Sequence, residues 1–369
     1  MWKNLTCNKT GQFRVIQMKH MIEIDGSIGE GGGQIIRTAG ALSILTEKPF
    51  HIFNIRKGRQ NPGLRTQHLK SLIACAELCS AKVENARIGF SDVIFEPGDF
   101  IDGDTLNIEI ETAGSIGLSL QMMTPTIIKS GRRFRVNFEG GAVFGKYAPP
   151  LQYIQQVLLP ILRKMGYEIS IDIIKYGFYP SGGAKVIAIF NSPKSHLNPI
   201  KMDTIPSIEK IRGFSVATRE LRNAKVAERT RMGANGLLEE NGFKSEIKTV
   251  YCEANNTGCG LVLSAKAFPI VGIGSDGLGS PGLKAEFLGK YTANTIVDYI
   301  KKGCPVDPHL SDQLLIFMAI AKGTSVIKTP TLTEHAKTNM DIINKFVDCE
   351  FVIEEDDNGY IISCNGFAL

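Results

Sequence analysis

Residues 26–37, GSIGEGGGQIIR, set one carboxylate, Glu30, among glycines and follow it with Arg37 on a helical pattern. Glycines let a backbone approach a ligand closely, but any sharp turn asks for the same freedom. Glu30 is therefore either a solvated turn residue or a ligand for Mg²⁺ or Mn²⁺ that also holds a nucleotide phosphate. Residues 54–71, NIRKGRQNPGLRTQHLKS, gather Arg56, Lys57, Arg59 and Arg65 around a Gly/Pro turn without an acid, ending at Gln67 and His68 on a helix start. Guanidinium forks bind phosphate oxygens bidentately and a helix N-terminus adds its dipole, so this loop points to an anion. A merely solvated basic loop would ordinarily intersperse acids. In DPHLSDQLLIFMAIAKG, His309, Asp312 and Gln313 open a helix. An Asp there caps the helix or contacts a nucleotide. In TEHAKTN, His335 directly precedes the last amphipathic helix. A lone histidine at a helix start is ordinarily solvated. As a nucleophile it needs a neutral imidazole, with one nitrogen oriented by a partner and the other facing an electrophile.

Other chemistries lose ground. The chain has no G-x-x-x-x-G-K-[ST] phosphate loop, no G-x-G-x-x-G in its proper context, no G-x-S-x-G elbow and no H-E-x-x-H. Eight cysteines are scattered without a C-x-x-C pair or zinc spacing; Cys75 and Cys79, four apart on a helical pattern, read as buried thiols in a reducing compartment. With 43% hydrophobic and 21% charged residues, the composition is that of an ordinary globular protein, and a net charge of +5 suits an anionic substrate without demanding one. No apolar run approaches the roughly 18 residues of a membrane span, and no secretory signal is evident, so a cytoplasmic location is expected.

The elements that must position these residues repeat along the chain. One kind of unit, an apolar helix entered through small residues and followed by a turn and a β-rich run, occurs as GGQIIRTAGALSILTEKPFHIFNI, GSIGLSLQMMTPTIIKSGRRFRVNF and SDQLLIFMAIAKGTSVIKT. A second kind, an amphipathic helix and short strand, occurs as LRTQHLKSLIACAELCSAKVE, LQYIQQVLLPILRKMGYEISIDI and TNMDIINKFVDCEFVIEE. Gln34 to Ser119 spans about 85 residues but Ser119 to Asp312 about 193, which leaves a surplus of roughly 100. Pro/Ser/Asn-rich and glycine-rich linkers place that insert at 189–278. The expected organisation is an N-terminal extension at 1–20, repeats one and two at 21–188, a small α/β insert at 189–278 and repeat three at 279–369. Strands alternating with helices predict an α/β fold.

Together these residues resemble the RNA 3′-terminal phosphate cyclase family. The likeness is carried by DGSIGEGGGQIIR, NIRKGRQNPGLRTQHL, GFYPSGGA, HLSDQLLIFMAIA and the late histidine of TEHAKTN, over nearly the whole chain from Met21. The resemblance implies three βαβα-type repeats like the C-terminal domain of a translation initiation factor, with a smaller α/β insert before the last. It implies an ATP-dependent reaction in which a histidine takes AMP, passes it to an RNA 3′-phosphate, and the neighbouring 2′-OH closes a 2′,3′-cyclic phosphate. His335 matches the nucleophile and Glu30 the carboxylate that holds Mg²⁺ or Mn²⁺. His309, Leu310, Ser311, Asp312 and Gln313 match the nucleotide-contacting run, His309 standing where bacterial members can carry a tyrosine stacked on adenine. Gln121 in SLQMMTP is a further nucleotide-site match. Arg37, Arg56, Arg59, Gln67 and His68 match residues lining the site for the RNA end and its phosphates. In GKYAPP the proline that would face the base is displaced, and Tyr147 or Pro149 is expected to fill its place.

Three other readings stay open on the sequence. Cyclase-like ribosome-assembly proteins share the architecture but lack the histidine. Enolpyruvyl transferases use similar repeats, in two sets of three. A non-catalytic RNA-end binding module would satisfy the basic loop alone. The expected partners are ATP and RNA 3′-phosphate ends, with no membrane and with room for a homodimer through an edge strand of the insert.

Overall fold

The structure is a computed structural model that describes residues 5–7, 13–15, 21–29 and 32–369. β1 (Leu5–Cys7) and β2 (Phe13–Val15) pair antiparallel as a ribbon apart from the other sheets, within a stretch whose sequence has no pattern. Then come β3 (Ile22–Asp25), α1 (Gln34–Thr46), β4 (Phe50–Phe53), α2 (Thr66–Leu78), β5 (Lys82–Glu84) and β6 (Val93–Glu96). Their strands form a sheet in the order β3-β4-β6-β5.

The same plan recurs. β7 (Thr105–Ser115), α3 (Ile116–Ile127) and β8 (Arg133–Ala142) lead into α4 (Leu151–Tyr153), which runs through a π-helical turn into α5 (Leu159–Lys164), then β9 (Glu168–Lys175) and β10 (Lys185–Asn191). This sheet runs β7-β8-β10-β9. After β11 (Lys201–Met202) the chain leaves to build β12 (Ile208–Thr218), α6 (Val226–Glu240), β13 (Ser245–Cys252), β14 (Cys259–Ala267), β15 (Gly274–Leu278) and α7 (Ala285–Lys301). It returns with α8 (Pro308–Ile320), β16 (Lys322–Thr329), α9 (Glu334–Phe346), β17 (Glu350–Asp356) and β18 (Gly359–Phe367), giving a sheet β11-β16-β18-β17. In each of these three sheets the first two strands are parallel and the others antiparallel. A parallel pair needs a crossover, and α1, α3 and α8 each sit on one.

Burial follows from sequence. The alternation along β7 and β8 puts one face of the sheet in the core and leaves the other wet. α1, α3 and α8 are buried almost all round, as helices apolar on every side must be. α1 packs on α3 and α9, and α8 packs on α9, so the helical layer joins the repeats and brings the starts of several helices together. No described helix is long and apolar enough to cross a membrane.

The boundaries of the inserted unit differ from the expected 189–278. β11, inside that range, belongs to the third repeat's sheet, and α7, beyond it, packs on α6, β14 and β15. Tertiary packing decides this. A Cβ at Gly289 would overlap the Thr230 carbonyl, and one at Gly233 the Glu286 carbonyl, so α6 and α7 meet backbone to backbone. This unit has its own small core of Ile211, Leu238, Leu261, Leu263 and Ile296.

Candidate functional site

A cleft of about 1240 Å³ opens where α1, α3, α8 and α9 meet the loop 145–149 on one side and α7 with the loop 277–283 on the other. His335, half-buried in the first turn of α9, lines it. The start of α9 is fixed from three directions. Thr333 caps it, its hydroxyl oxygen accepting from the Ala336 N–H at 2.9 Å, while the same hydroxyl donates to Asp312 Oδ1 at 2.6 Å. Asn339, one turn beyond His335, donates to the Asp312 carbonyl at 3.0 Å and accepts from the Thr38 hydroxyl at 2.7 Å. Gln34 Nε2 donates to the His335 carbonyl at 3.3 Å. Helices α1 and α8 thus hold the turn that carries the imidazole.

The run His309–Gln313 divides by helical face. Asp307, followed by Pro308, is the cap of α8, accepting from the N–H groups of His309 and Leu310 at 2.9 Å each. Asp312 lies a turn further on and caps nothing. His309, Asp312 and Gln313 line the cleft, whereas Leu310 and Ser311 are fully buried and point into the core, Ser311 donating its hydroxyl to the Pro308 carbonyl. Helical periodicity sends these two inward, so no ligand reaches their side chains. Gln313 Oε1 is buried without a hydrogen-bond partner among the described residues. Gln121 of α3 also lines the cleft, as do Tyr147 and Pro149. Tyr147 is 91% exposed on a left-handed backbone at φ 57°, with the Lys146 ammonium 5.0 Å from its ring centroid and 5.8 Å from that of Tyr179.

The basic residues are arranged differently. Arg37 lines the cleft from α1; burial pushes its guanidinium down to about 10, and its Nε is buried without a hydrogen-bond partner among the described residues. Arg56 Nε is likewise buried without a hydrogen-bond partner among the described residues, and burial with the neighbouring Arg59 and Arg65 lowers its pKa. Arg59 is exposed, and neither it nor Arg56 lines the cleft. His68 is 3% exposed and stands behind the cleft wall. Its Nδ1 accepts from the Arg65 N–H at 3.4 Å, and a Cβ at Gly33 would overlap its Nε2. Burial first, then Arg37, Arg56 and Arg65, push it down to about 3, so it is neutral at any working pH. It packs against Gly33 of the glycine loop. Gln67 is in the first turn of α2, its side chain outside the described residues.

The glycine loop is held between two histidines. A Cβ at Gly29, which has φ +60°, would overlap Thr338 of α9, and one at Gly32 would come to 3.7 Å from His335 Cε1. Glu30 lies outside the described residues. Among the described residues no three His, Cys, Asp or Glu side chains converge on a metal position. Mg²⁺ commonly binds through one or two carboxylates plus substrate phosphates, and a single-carboxylate site of that kind would leave no such cluster.

Several residues at the site were not singled out from the sequence. Asn339 is four residues after His335, the i,i+4 spacing that puts both on one helix face. The Asp-Pro pair at 307–308 is a helix-start signal that outranks Asp312. Asp276, from β15, lines the cleft; burial raises its carboxyl to about 6, His309 opposing this and Asp307 adding to it. Nothing local marks it, since only folding of the inserted unit brings it to α8.

A family model described as RNA 3′-terminal phosphate cyclase matches residues 28–353. Among curated proteins, the RNA 3′-terminal phosphate cyclase of Caldivirga maquilingensis is 40% identical over 89% of this chain and 93% of its own length. That of Saccharolobus solfataricus is 38% identical over 90% of this chain and 96% of its own. That of Methanococcoides burtonii is 39% identical, over 91% and 97%.

Proposed function

The chain belongs to the RNA 3′-terminal phosphate cyclase family, and on that premise we propose that it is an ATP-dependent enzyme working through a covalent histidyl-AMP on His335. The observation that carries the reading is the placement of His335 on a braced helix start, in one cleft with Gln121, His309, Asp312, Gln313 and Arg37. An imidazole nitrogen of His335 attacks the α-phosphorus of ATP, forming a P–N bond as pyrophosphate leaves. The RNA 3′-phosphate oxygen then attacks the same phosphorus, freeing the imidazole and giving an RNA–pp–A end. Finally the neighbouring 2′-OH attacks the RNA phosphorus and AMP leaves, closing the 2′,3′-cyclic phosphate. A phosphate monoester lacks a good leaving oxygen, and adenylation supplies one; the P–N bond keeps AMP reactive in between.

On this reading His309, Gln121 and Gln313 meet the nucleotide, with Tyr147 or Pro149 against its base; all line the cleft of His335. Arg37 meets phosphate directly, Arg56 and Arg59 extend that charge along the RNA end, and Gln67 adds a neutral hydrogen-bonding amide. Glu30 would hold Mg²⁺ or Mn²⁺ against the triphosphate, where the ion would neutralise oxygen charge. Because cyclisation needs the 2′-OH, a DNA 3′-phosphate should stop as the adenylated species.

The test is incubation with α-labelled ATP and either metal, without RNA, followed by denaturing electrophoresis of wild type and His335→Ala. An acid-labile, alkali-stable labelled band in wild type alone is expected, with turnover down by at least about 10⁴-fold in the variant. No band in wild type sinks the reading in favour of a binding or assembly protein. A band surviving the substitution keeps the enzyme but moves the nucleophile.

A further inference from the structure

The cleft has a second wall that the reaction above does not use. Phe287 and Tyr291 of α7 are 58% and 60% exposed and both line the cleft that holds His335. They are one helical turn apart and so share a face. Between and beside them Leu288, Gly289 and Thr292 turn inward and are buried, so the aromatic pair is surplus to the packing of α7. The helix beneath them is rigid. It meets α6 backbone to backbone at Gly289 and Gly233, and Glu286 accepts both Arg229 Nε at 2.6 Å and Arg229 Nη2 at 3.0 Å. Lys284 and Lys290, both exposed, add positive charge to the same helix.

We propose that this face of α7 is a stacking platform for the bases of single-stranded RNA immediately upstream of the reacting 3′-phosphate. The proposal rests on the cyclase reading of the cleft and names where its polymeric substrate lies. Three observations favour that occupant. At about 1240 Å³ the cleft exceeds the roughly 300–1,000 Å³ typical of a small-molecule site, so a bound nucleotide leaves room. Exposed aromatics on a rigid element take any base by its π-face, and neighbouring lysines take the phosphates that accompany it. The platform lines the same cleft as Arg37, so a phosphate held by Arg37 leaves the preceding nucleotides within that cleft. Because stacking ignores base identity, the platform selects single-stranded ends over paired ones with little sequence preference.

The experiment compares wild type with Phe287→Ala/Tyr291→Ala. The probes are a 3′-phosphorylated RNA of about ten nucleotides, followed by anisotropy, and a nucleoside 3′-monophosphate, followed by calorimetry. The oligonucleotide should bind at least about tenfold more weakly to the variant, and the mononucleotide, which has no upstream base, should show no difference. Phe287→Trp/Tyr291→Trp should restore the oligonucleotide affinity. Equal weakening of both probes, or no change in the oligonucleotide, overturns the platform. Loss of labelling by α-labelled ATP in parallel with RNA binding would give these rings to adenine instead and overturn it too. Binding needs no turnover. If wild type forms no histidyl-AMP yet the length-dependent loss remains, the platform stands and the reaction proposed above falls.

Discussion

Two regions near the cleft of His335 are finished to different degrees. On the side of α8 and α9 the polar groups satisfy one another: Thr333 bridges the α9 N-terminus and Asp312, and Asn339 bridges Thr38 and the Asp312 carbonyl. In the first repeat, Arg37 and Arg56 each bury a guanidinium Nε with no hydrogen-bond partner among the described residues, and their charge adds to the burial that depresses His68. Buried polar groups are ordinarily paired, and an unpaired buried charge is costly. The first region is therefore complete without ligand and can hold a nucleophile in one orientation. The second leaves buried donors open, as a site that awaits an anion would.

The difference is sharpest at Arg37. Arg37→Ala should lower kcat/KM for a 3′-phosphorylated RNA by about 10²-fold, the scale of losing charge-assisted contacts to phosphate. The ligand-free protein should unfold at an unchanged or higher temperature, because an uncompensated buried cation has gone. Pyrophosphate should raise the wild-type melting temperature more than the variant's. A variant that is destabilised without ligand, yet still active, would mean that Arg37 is a structural cation and the two sides are alike.

His68 offers the next test. Folded, it stays neutral down to about pH 3; unfolded, it takes a proton near 6.5. The unfolded state thus binds more protons between those values, so this contribution is complete above pH 6.5 and is lost as pH falls toward 3. The loss should reach about 4 kcal/mol at the acid end, and His68→Gln should flatten the acid limb of a denaturant-stability profile. An unchanged acid limb would place the imidazole in water and remove its packing against the glycine loop.

Thr333 probes the finished side more gently. Thr333→Val removes the cap and the donor to Asp312 together and should cost about 1–2 kcal/mol of stability, with Thr333→Ser recovering most of it. If the bracing orients His335, the valine variant should lose self-adenylation rate while ATP affinity holds. A stability loss with the rate intact would make the network a helix cap only.

How much of this was legible in sequence follows from how local each signal is. The alternation of helices and strands was readable because apolar periodicity is written inside each element, and His335 stood out as a candidate because its motif is contiguous. The edge of the inserted unit was not, since only the close approach at Gly233 and Gly289 assigns α7 to it. The burial of His68 was equally hidden: a histidine in the first turn of α2 looks solvated until Gly33 and the arginines close over it. Leu310 and Ser311 sit in the same motif but on the inner face of α8, a placement that only the packed helix shows.

Asp276 gives the smallest effect and the most direct link between the two units. Its carboxyl is raised from 3.8 to about 6, chiefly by burial, so its folded form holds a proton that the unfolded chain has already released between those values. Here the folded state binds more protons, and stability falls as pH rises from about 4 through 6, opposite in sign to His68. Asp276 still faces the open cleft, and solvent screening should reduce the gain from Asp276→Asn above pH 6 to about 1 kcal/mol. The sign matters more than the size. A gain above pH 6 that vanishes near pH 4 would mark a carboxylate held against its solvation at the joint between α8 and the inserted sheet. A loss at neutral pH would instead mean that the ionised form has a partner there, and that this edge of the cleft is as finished as the one that holds His335.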